Sequence, residues 1–100
     1  MNHFLITDQN RHSEYEYYDL VLVSTVMSEQ EMDNDHNDWQ EHFLGWQFGN
    51  AHEDEDGDYL SDNRIVSVYS IGIVPKKDVP VLDRYLGTSD LDQIINRGVT

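Results

Sequence analysis

The chain of 100 residues contains no cysteine. This absence excludes a disulfide framework, a cysteine-ligated zinc site and a thiol redox motif. No apolar run approaches the roughly 20 residues that a membrane-spanning helix requires. The first residues combine neither a basic segment nor a long apolar one, so we expect no secretory signal and a cytoplasmic protein, in the host cell if a phage encodes it.

Basic side chains are missing from more than half of the chain. Between Arg11 and Arg64 lie 52 residues without lysine or arginine, and these carry 15 of the 20 acidic residues. Residues 64–100 hold four acids against five bases, so the formal net charge of −14 lies in one contiguous segment. Adaptation to high salt would instead spread acids over the whole surface. A segment of this charge repels nucleic acid and anionic membranes, and it attracts basic proteins.

The length and the hydrophobic content predict one folded domain. A chain of this size buries about two-thirds of its unfolded surface around a single core. Hydrophobic residues at 38% and eleven aromatic side chains supply that core, which argues against disorder despite the charge. We therefore treat residues 1–100 as a single acidic domain.

Apolar patterning predicts three strands, over residues 3–7, 14–25 and 64–74. The polar residues 8–13 favour a turn that joins the first two strands in an antiparallel hairpin. In the second strand, alternation places the even-numbered residues of 14–22 on one face and the odd-numbered residues of 15–23 on the other. Its acidic first half is expected to project from the sheet and its apolar second half to lie inside it.

Helix signals follow the second strand. Ser28 and Glu31 have the spacing of a capping box, which predicts a helix over about residues 28–44, with an interruption near Asn34 and an end at Gly45. Its apolar stripe is formed by residues at spacings of four, three and four; these are Met32, His36, Trp39 and Phe43.

Two shorter helices are expected near the end of the chain. Asp78 is the predicted cap of a helix over residues 79–86, which Gly87 closes. Ser89 is the predicted cap of a last helical segment that ends at Gly98. The predicted fold is therefore α+β, a small three-stranded, mostly antiparallel sheet with two or three helices in the order β-β-α-β-α-α.

The acidic loop over residues 52–62 has part of a calcium-binding pattern. If Gly57 occupies the sixth position of an EF-hand loop, Asp54 and Asp56 fall on the third and fifth positions, as required. His52 and Asn63 then fall on the first and twelfth positions, where an aspartate and a bidentate glutamate are needed. The pattern lacks two essential ligands, so a dedicated calcium site is not expected, although the sequence leaves weak cation binding by this loop open.

Other metal sites and catalysis are also not expected. Five histidines lie among the carboxylates, but His36 and His42 are six residues apart, which places them roughly on opposite faces of a helix. The chain has no Gly-x-Ser-x-Gly elbow and no phosphate-binding glycine loop. Carboxylates are too abundant for any pair to indicate glycoside hydrolysis. We predict a protein without metal, cofactor or enzymatic activity.

The acidic segment is the strongest candidate for a functional surface. A run of like charges usually serves only solubility, but three features favour binding here. Fifteen acids without a compensating base repel one another and destabilise the fold, which indicates a use for them. They fall on predicted helices and strands, where ordered carboxylates can approximate phosphates spaced about 3.4 Å apart along one strand. Tyrosines and tryptophans are interleaved with them, as in residues that anchor interfaces.

We therefore predict that fourteen carboxylates of this segment contact a basic partner protein that normally binds nucleic acid. Direct nucleic-acid binding and membrane binding are not expected, and the sequence does not determine an oligomeric state. The predicted partner-binding residues are Glu14, Glu16, Asp19, Glu29, Glu31, Asp33, Asp35, Asp38, Glu41, Glu53, Asp54, Glu55, Asp56 and Asp58.

These properties resemble those of small acidic proteins of bacteriophages and mobile elements, among them DNA-mimic anti-restriction and anti-CRISPR proteins. A narrower resemblance, to the start of some type I-E anti-CRISPR proteins, rests on the opening sequence MNHFLITD and the polar loop and strand that follow it. It covers about a quarter of the chain and carries over no individual functional residue. The resemblance implies a non-enzymatic inhibitor that occupies the basic channel of a defence complex, so that target DNA cannot bind.

A second interpretation is an acidic protein–protein interaction module, such as the antitoxin-like partner of one basic protein. The identity of the partner separates the two interpretations. A nuclease or a CRISPR surveillance complex favours the inhibitor, whereas a basic protein that does not bind nucleic acid favours the module.

Overall fold

The computed structural model describes residues 1–34, 38–49 and 51–97. Within these ranges the chain forms a six-stranded mixed sheet, four α-helices and one 3-10 turn over Lys76–Asp78. The strands are β1 (Asn2–His12), β2 (Tyr15–Thr25), β3 (His52–Glu53), β4 (Tyr59–Ser61), β5 (Arg64–Ile73) and β6 (Thr88–Asp90), and the helices are α1 (Glu29–Asn34), α2 (Asp38–Phe48), α3 (Val79–Leu86) and α4 (Leu91–Arg97).

Strand β1 lies inside the sheet, whose strand order is β3-β4-β5-β1-β2-β6. It pairs with β2 in an antiparallel hairpin along its whole length, through a tight turn at Ser13 and Glu14 in which Ser13 has a φ of 58°. On its other side β1 pairs with β5, also antiparallel, with a bulge that leaves Tyr69 unpaired between Val68 and Ser70. Strand β6 is parallel to β2 and forms one edge.

The core lies between this sheet and three of the helices. Buried side chains of α1, α2 and α4 form one cluster with buried side chains of β1, β2 and β5. Alternation along β1 sends Phe4 and Ile6 into this cluster, and the register places Val23 of β2 beside Phe4. The helix residues in the cluster are Met32, Trp39, Phe43, Leu44 and Leu91.

Helix α3 lies on the opposite, outer side of the sheet. Leu22 is fully buried, although it immediately precedes Val23 within β2 and therefore points to the opposite face of the sheet from Val23. Helix α3 packs against β2 and accounts for this burial. Only part of the outer side is covered in this way, so the rest of it is left open.

The structure corrects the predicted fold class, because the sheet has six strands rather than three and four helices accompany it. The class remains α+β. Residues 8–12, predicted as a turn, continue β1, and the predicted loop over residues 52–62 forms the hairpin of β3 and β4. The remaining unpredicted strand, β6, has only three residues.

Helix boundaries also differ from the prediction. The capping box is confirmed, because the Ser28 hydroxyl accepts a hydrogen bond from the Glu31 N–H at 3.1 Å and the Glu31 carboxylate accepts one from the Ser28 N–H at 3.2 Å. Helix α2 passes through Gly45 and ends before Gly49, whose φ is 78°. The predicted stripe residue His36 and the predicted stop Gly98 lie outside the described residues.

The predicted caps of the last two helices are wrong. Asp78 precedes α3, but its side chain makes no capping hydrogen bond. Asp90, not Ser89, caps α4, because its Oδ1 accepts a hydrogen bond from the Gln93 N–H at 3.1 Å. Asp78 and Asp90 each lie one residue before their helix, but only the Asp90 carboxylate accepts a hydrogen bond from a backbone N–H of the first turn.

Helix α4 is tied to the end of β2 through one carboxylate. Asp92 accepts a hydrogen bond from the Thr25 hydroxyl at 2.6 Å and a second from the Val26 N–H at 2.9 Å. Thr25 is fully buried, so its hydroxyl needs an internal partner.

We expect Asp92→Ala to lower the free energy of unfolding by about 2 kcal/mol, because two donors at the end of β2 lose their charged acceptor. Urea denaturation measures this change. Gln93→Ala is the matched control, since its side chain is exposed on the same helix. Equal losses in the two variants would show that the Asp92 contacts do not hold α4.

Candidate functional site

The helix side of the sheet carries most of the exposed acids. Helix α2 packs against β3, β4 and β5, and α1 packs against β5 and is joined to α2 by the Trp39–Met32 hydrogen bond, so α2 lies between α1 and the β3–β4 hairpin on the helix side. Among their described side chains these three elements expose eight carboxylates, and none of their residues is a lysine or an arginine. We call this surface the acidic face; its exposed carboxylates are Glu29, Glu31, Asp33, Glu41, Glu53, Glu55, Asp56 and Asp58.

The remaining predicted partner-binding residues lie elsewhere or are not described. Glu14 and Glu16 are exposed at the turn end of the β1–β2 hairpin, and Asp19 is exposed on β2 opposite Asp8, so it lies on the helix side of the sheet but not on the three elements named above. Asp35 lies outside the described residues, and so does the side chain of Asp38. Eleven of the twelve predicted carboxylates with described side chains are thus exposed, but only some of them share a surface.

Asp54 is the exception, because it organises the β3–β4 loop from within. Its Oδ1 accepts hydrogen bonds from the N–H groups of Asp56 and Asp58, both at 2.9 Å. Gly57 takes a φ of 85° at the bend. The carboxylate that an EF-hand would direct at calcium is therefore engaged by backbone, and the loop displays Asp56 and Asp58 in a fixed turn.

No base belongs to the three elements of the acidic face, but Arg64 of β5 borders it. Arg11 is directly opposite Glu16 in the β1–β2 register, a pairing of opposite charges that favours the hairpin. The Arg64 guanidinium lies over the Phe48 ring, 5.7 Å from its centroid. Lys76, Lys77 and Arg84 are exposed on and before α3, on the outer side.

The outer side has an open half that α3 does not cover. Here the Tyr18 and Tyr69 rings meet edge to face across β1, with their centroids 5.1 Å apart. Gln9, between them, donates a hydrogen bond to the Tyr18 hydroxyl at 3.0 Å, and that hydroxyl donates to Glu16 at 3.3 Å. The open half also contains Leu20, which is 52% exposed.

A buried carboxylate lies under α2. Asp8 is fully buried, and its Oδ2 accepts a hydrogen bond from the Gln47 amide at 3.0 Å. Its Oδ1 has no hydrogen-bond partner among the described residues. Asp19 lies directly opposite in the β1–β2 register. Burial first, and then the charge of Asp19, raise the pKa of Asp8 from 3.8 to about 6, and the Gln47 hydrogen bond opposes them.

Sequence reasoning missed Asp8, because residues 8–13 look like a polar turn. The available signal was the alternation that continues from Phe4 and Ile6 through Asp8 to Asn10, all four of which are buried. Polar residues at buried positions of a strand are rare unless they have partners, so a turn was the simpler interpretation.

The described residues contain no group of three or more histidine or acidic side chains that could hold a metal ion. No helix in this part of the chain is long and apolar enough to cross a bilayer.

The raised pKa of Asp8 has a consequence for stability. The folded state binds the proton more tightly than the unfolded chain, so the free energy of unfolding falls as pH rises from about 4 to about 6 and stays low above that range. We expect Asp8→Asn to raise it by up to about 3 kcal/mol at neutral pH and to remove this fall. Urea denaturation at about pH 4 and about pH 7 measures both effects.

The control for this variant is Asp62→Asn, which neutralises an exposed carboxylate in the β4–β5 turn. It should leave the pH dependence close to that of the parent protein. If Asp8→Asn lowered the stability at neutral pH, the favourable interactions of the buried carboxylate would outweigh the free-energy cost of its burial.

No protein-family model, curated protein or solved structure matches this chain. The resemblance to anti-CRISPR and DNA-mimic proteins thus stays a prediction.

Proposed function

We propose that the chain is a non-enzymatic inhibitor whose acidic face occupies the basic nucleic-acid-binding site of a defence complex. The observation that carries this proposal is the acidic face itself: eight exposed carboxylates on two helices and the β3–β4 hairpin, elements that contain no lysine or arginine. A surface of one sign steers an oppositely charged partner and raises the association rate.

Rigid support distinguishes this surface from a solvated acidic tail. Buried Met32 and Trp39 fix α1 and α2 to the sheet, and the Trp39 indole N–H donates to the Met32 carbonyl at 3.1 Å. Asp54 fixes the loop. Carboxylates on such supports lose little conformational entropy when a basic groove binds them. Trp46 is partly exposed on α2, where it lies toward β6 and α4.

The second candidate is an acidic interaction module for one basic protein. The exposed tyrosines of the hairpin favour it, since Tyr15 and Tyr17 are exposed beside Asp19 without belonging to the acidic face. In both cases we propose a protein that acts in the cytoplasm and binds a protein rather than nucleic acid or a membrane.

Competition with DNA tests the inhibitor directly. The chain is added to a type I-E CRISPR surveillance complex, or to a restriction enzyme, together with labelled target DNA. We expect displacement of the DNA in a mobility-shift assay and no binding of the chain to the DNA alone. A complex that binds the chain and the DNA at the same time would contradict occupation of the DNA site.

Salt dependence is a second expected property. Because the attraction is between exposed charges, the affinity for the partner should fall at least about 10-fold between about 50 and 200 mM salt. Isothermal titration at several salt concentrations measures it. An affinity that does not change over this range would assign the interface to apolar contacts.

Charge neutralisation locates the interface. Glu29→Gln with Asp33→Asn should weaken inhibition roughly 10-fold and preserve or raise thermal stability, because repulsion on the acidic face falls. The matched control is Asp62→Asn with Asp78→Asn, which removes two exposed charges outside the face. Equal weakening by both pairs would mean that only net charge matters and that no surface is specific.

A further inference from the structure

Helix α3 is rich in apolar residues, but none of them is buried. Five of its eight residues are valine, leucine or tyrosine. Helical geometry places Val81 and Tyr85 on the side away from Asp83, whose carboxylate accepts the Thr88 hydroxyl hydrogen bond at 2.7 Å toward β6. Both side chains are exposed, and Tyr85 is 77% exposed.

The exposed apolar residues of α3 lie on the same side of the sheet as the open half. Tyr18, Leu20 and Tyr69 in that half are all exposed. Together with Val81 and Tyr85 of α3, which packs on β2, they make the outer side rich in exposed apolar side chains. Exposed apolar side chains that cluster on one surface commonly mark an interaction site in soluble proteins.

The net charge of the outer side indicates which partner can bind there. In the described part of the outer side and its hairpin end, four bases stand against four acids; they are Arg11, Lys76, Lys77 and Arg84, and Glu14, Glu16, Asp78 and Asp83. The outer side is therefore close to neutral, although the whole chain has a charge of −14. A strongly basic partner gains little there, whereas a second copy can dock without bringing the two acidic faces together.

We propose that the outer side is a self-association surface and that the chain forms a two-fold symmetric dimer through it. A two-fold axis that lies between the sheets, perpendicular to the strands, places α3 of each copy on the open half of the other. Such an interface is self-complementary, as closed symmetry requires. It seats Tyr85 against the other copy's Tyr18 and Leu20.

The same arrangement is favourable electrostatically. It brings Lys76 and Lys77, at one end of the sheet, toward Glu14 and Glu16 at the hairpin end of the other copy. The acidic faces point outward on opposite sides of the dimer, where their mutual repulsion is smallest. This inference does not depend on the proposed function, because it uses the opposite side of the sheet.

Sedimentation velocity on the full chain over a concentration series tests the dimer. We expect a species of twice the 11.7 kDa chain mass. Tyr18→Asp and Tyr85→Asp should each raise the dimer dissociation constant at least about 30-fold, because they bury an unpaired charge in the interface. Circular dichroism checks the fold of each variant. If Tyr18→Asp does not fold, the result for Tyr85→Asp alone tests the interface.

The strand provides a matched control. Tyr17 and Tyr18 are neighbours with similar exposure, 55% and 48%, but they point to opposite faces of β2. Tyr17→Asp should therefore leave the dimer intact. The proposal is overturned if the parent chain sediments as a monomer throughout, if both face variants remain dimeric, or if Tyr17→Asp dissociates the dimer as strongly as Tyr18→Asp.

Discussion

The rest of the structure depends on the position of β1 between β2 and β5. Because side chains alternate along a strand, the register of these two pairings decides which residues lie under the helices and which face outward. Phe4 and Ile6 anchor the core in this way, and the same alternation carries Asp8 beneath α2. A slip of one residue would expose both anchors, so the apolar residues hold the register and the buried carboxylate is carried along with them.

The sheet also separates two surfaces of different character. Acids of α1, α2 and the β3–β4 loop lie on the helix side, while the bases near α3 lie on the outer side. The separation follows from topology: the connection from β5 to β6 passes over the outer side, and the chain returns to the helix side only with α4. A protein with a large net charge thus retains one nearly neutral side.

Much of the fold was predictable from strong local signals. Long apolar runs identified β2 and β5, and the Ser28 capping box located the start of α1. Strands β3, β4 and β6 have two or three residues, too few for any periodicity to show. Packing between α2 and the sheet outweighed the helix-breaking tendency of Gly45. The exposure of the acids was predictable from composition, but which of them share a face was not, because this depends on pairings between distant segments.

The Thr25–Asp92 contact joins residues 67 positions apart, and it bears on how the protein folds during synthesis. Thr7 cannot meet its partner Ser70 until most of the chain has left the ribosome. The β1–β2 hairpin therefore leaves the ribosome before β5, and until β5 pairs with β1 its apolar residues are uncovered. Pairing between such distant segments is slow. Acids at Glu14, Glu16 and Asp19 lie on this hairpin. Like charges on this hairpin oppose its association with a second copy, so we expect part of the negative charge to limit aggregation before the sheet is complete.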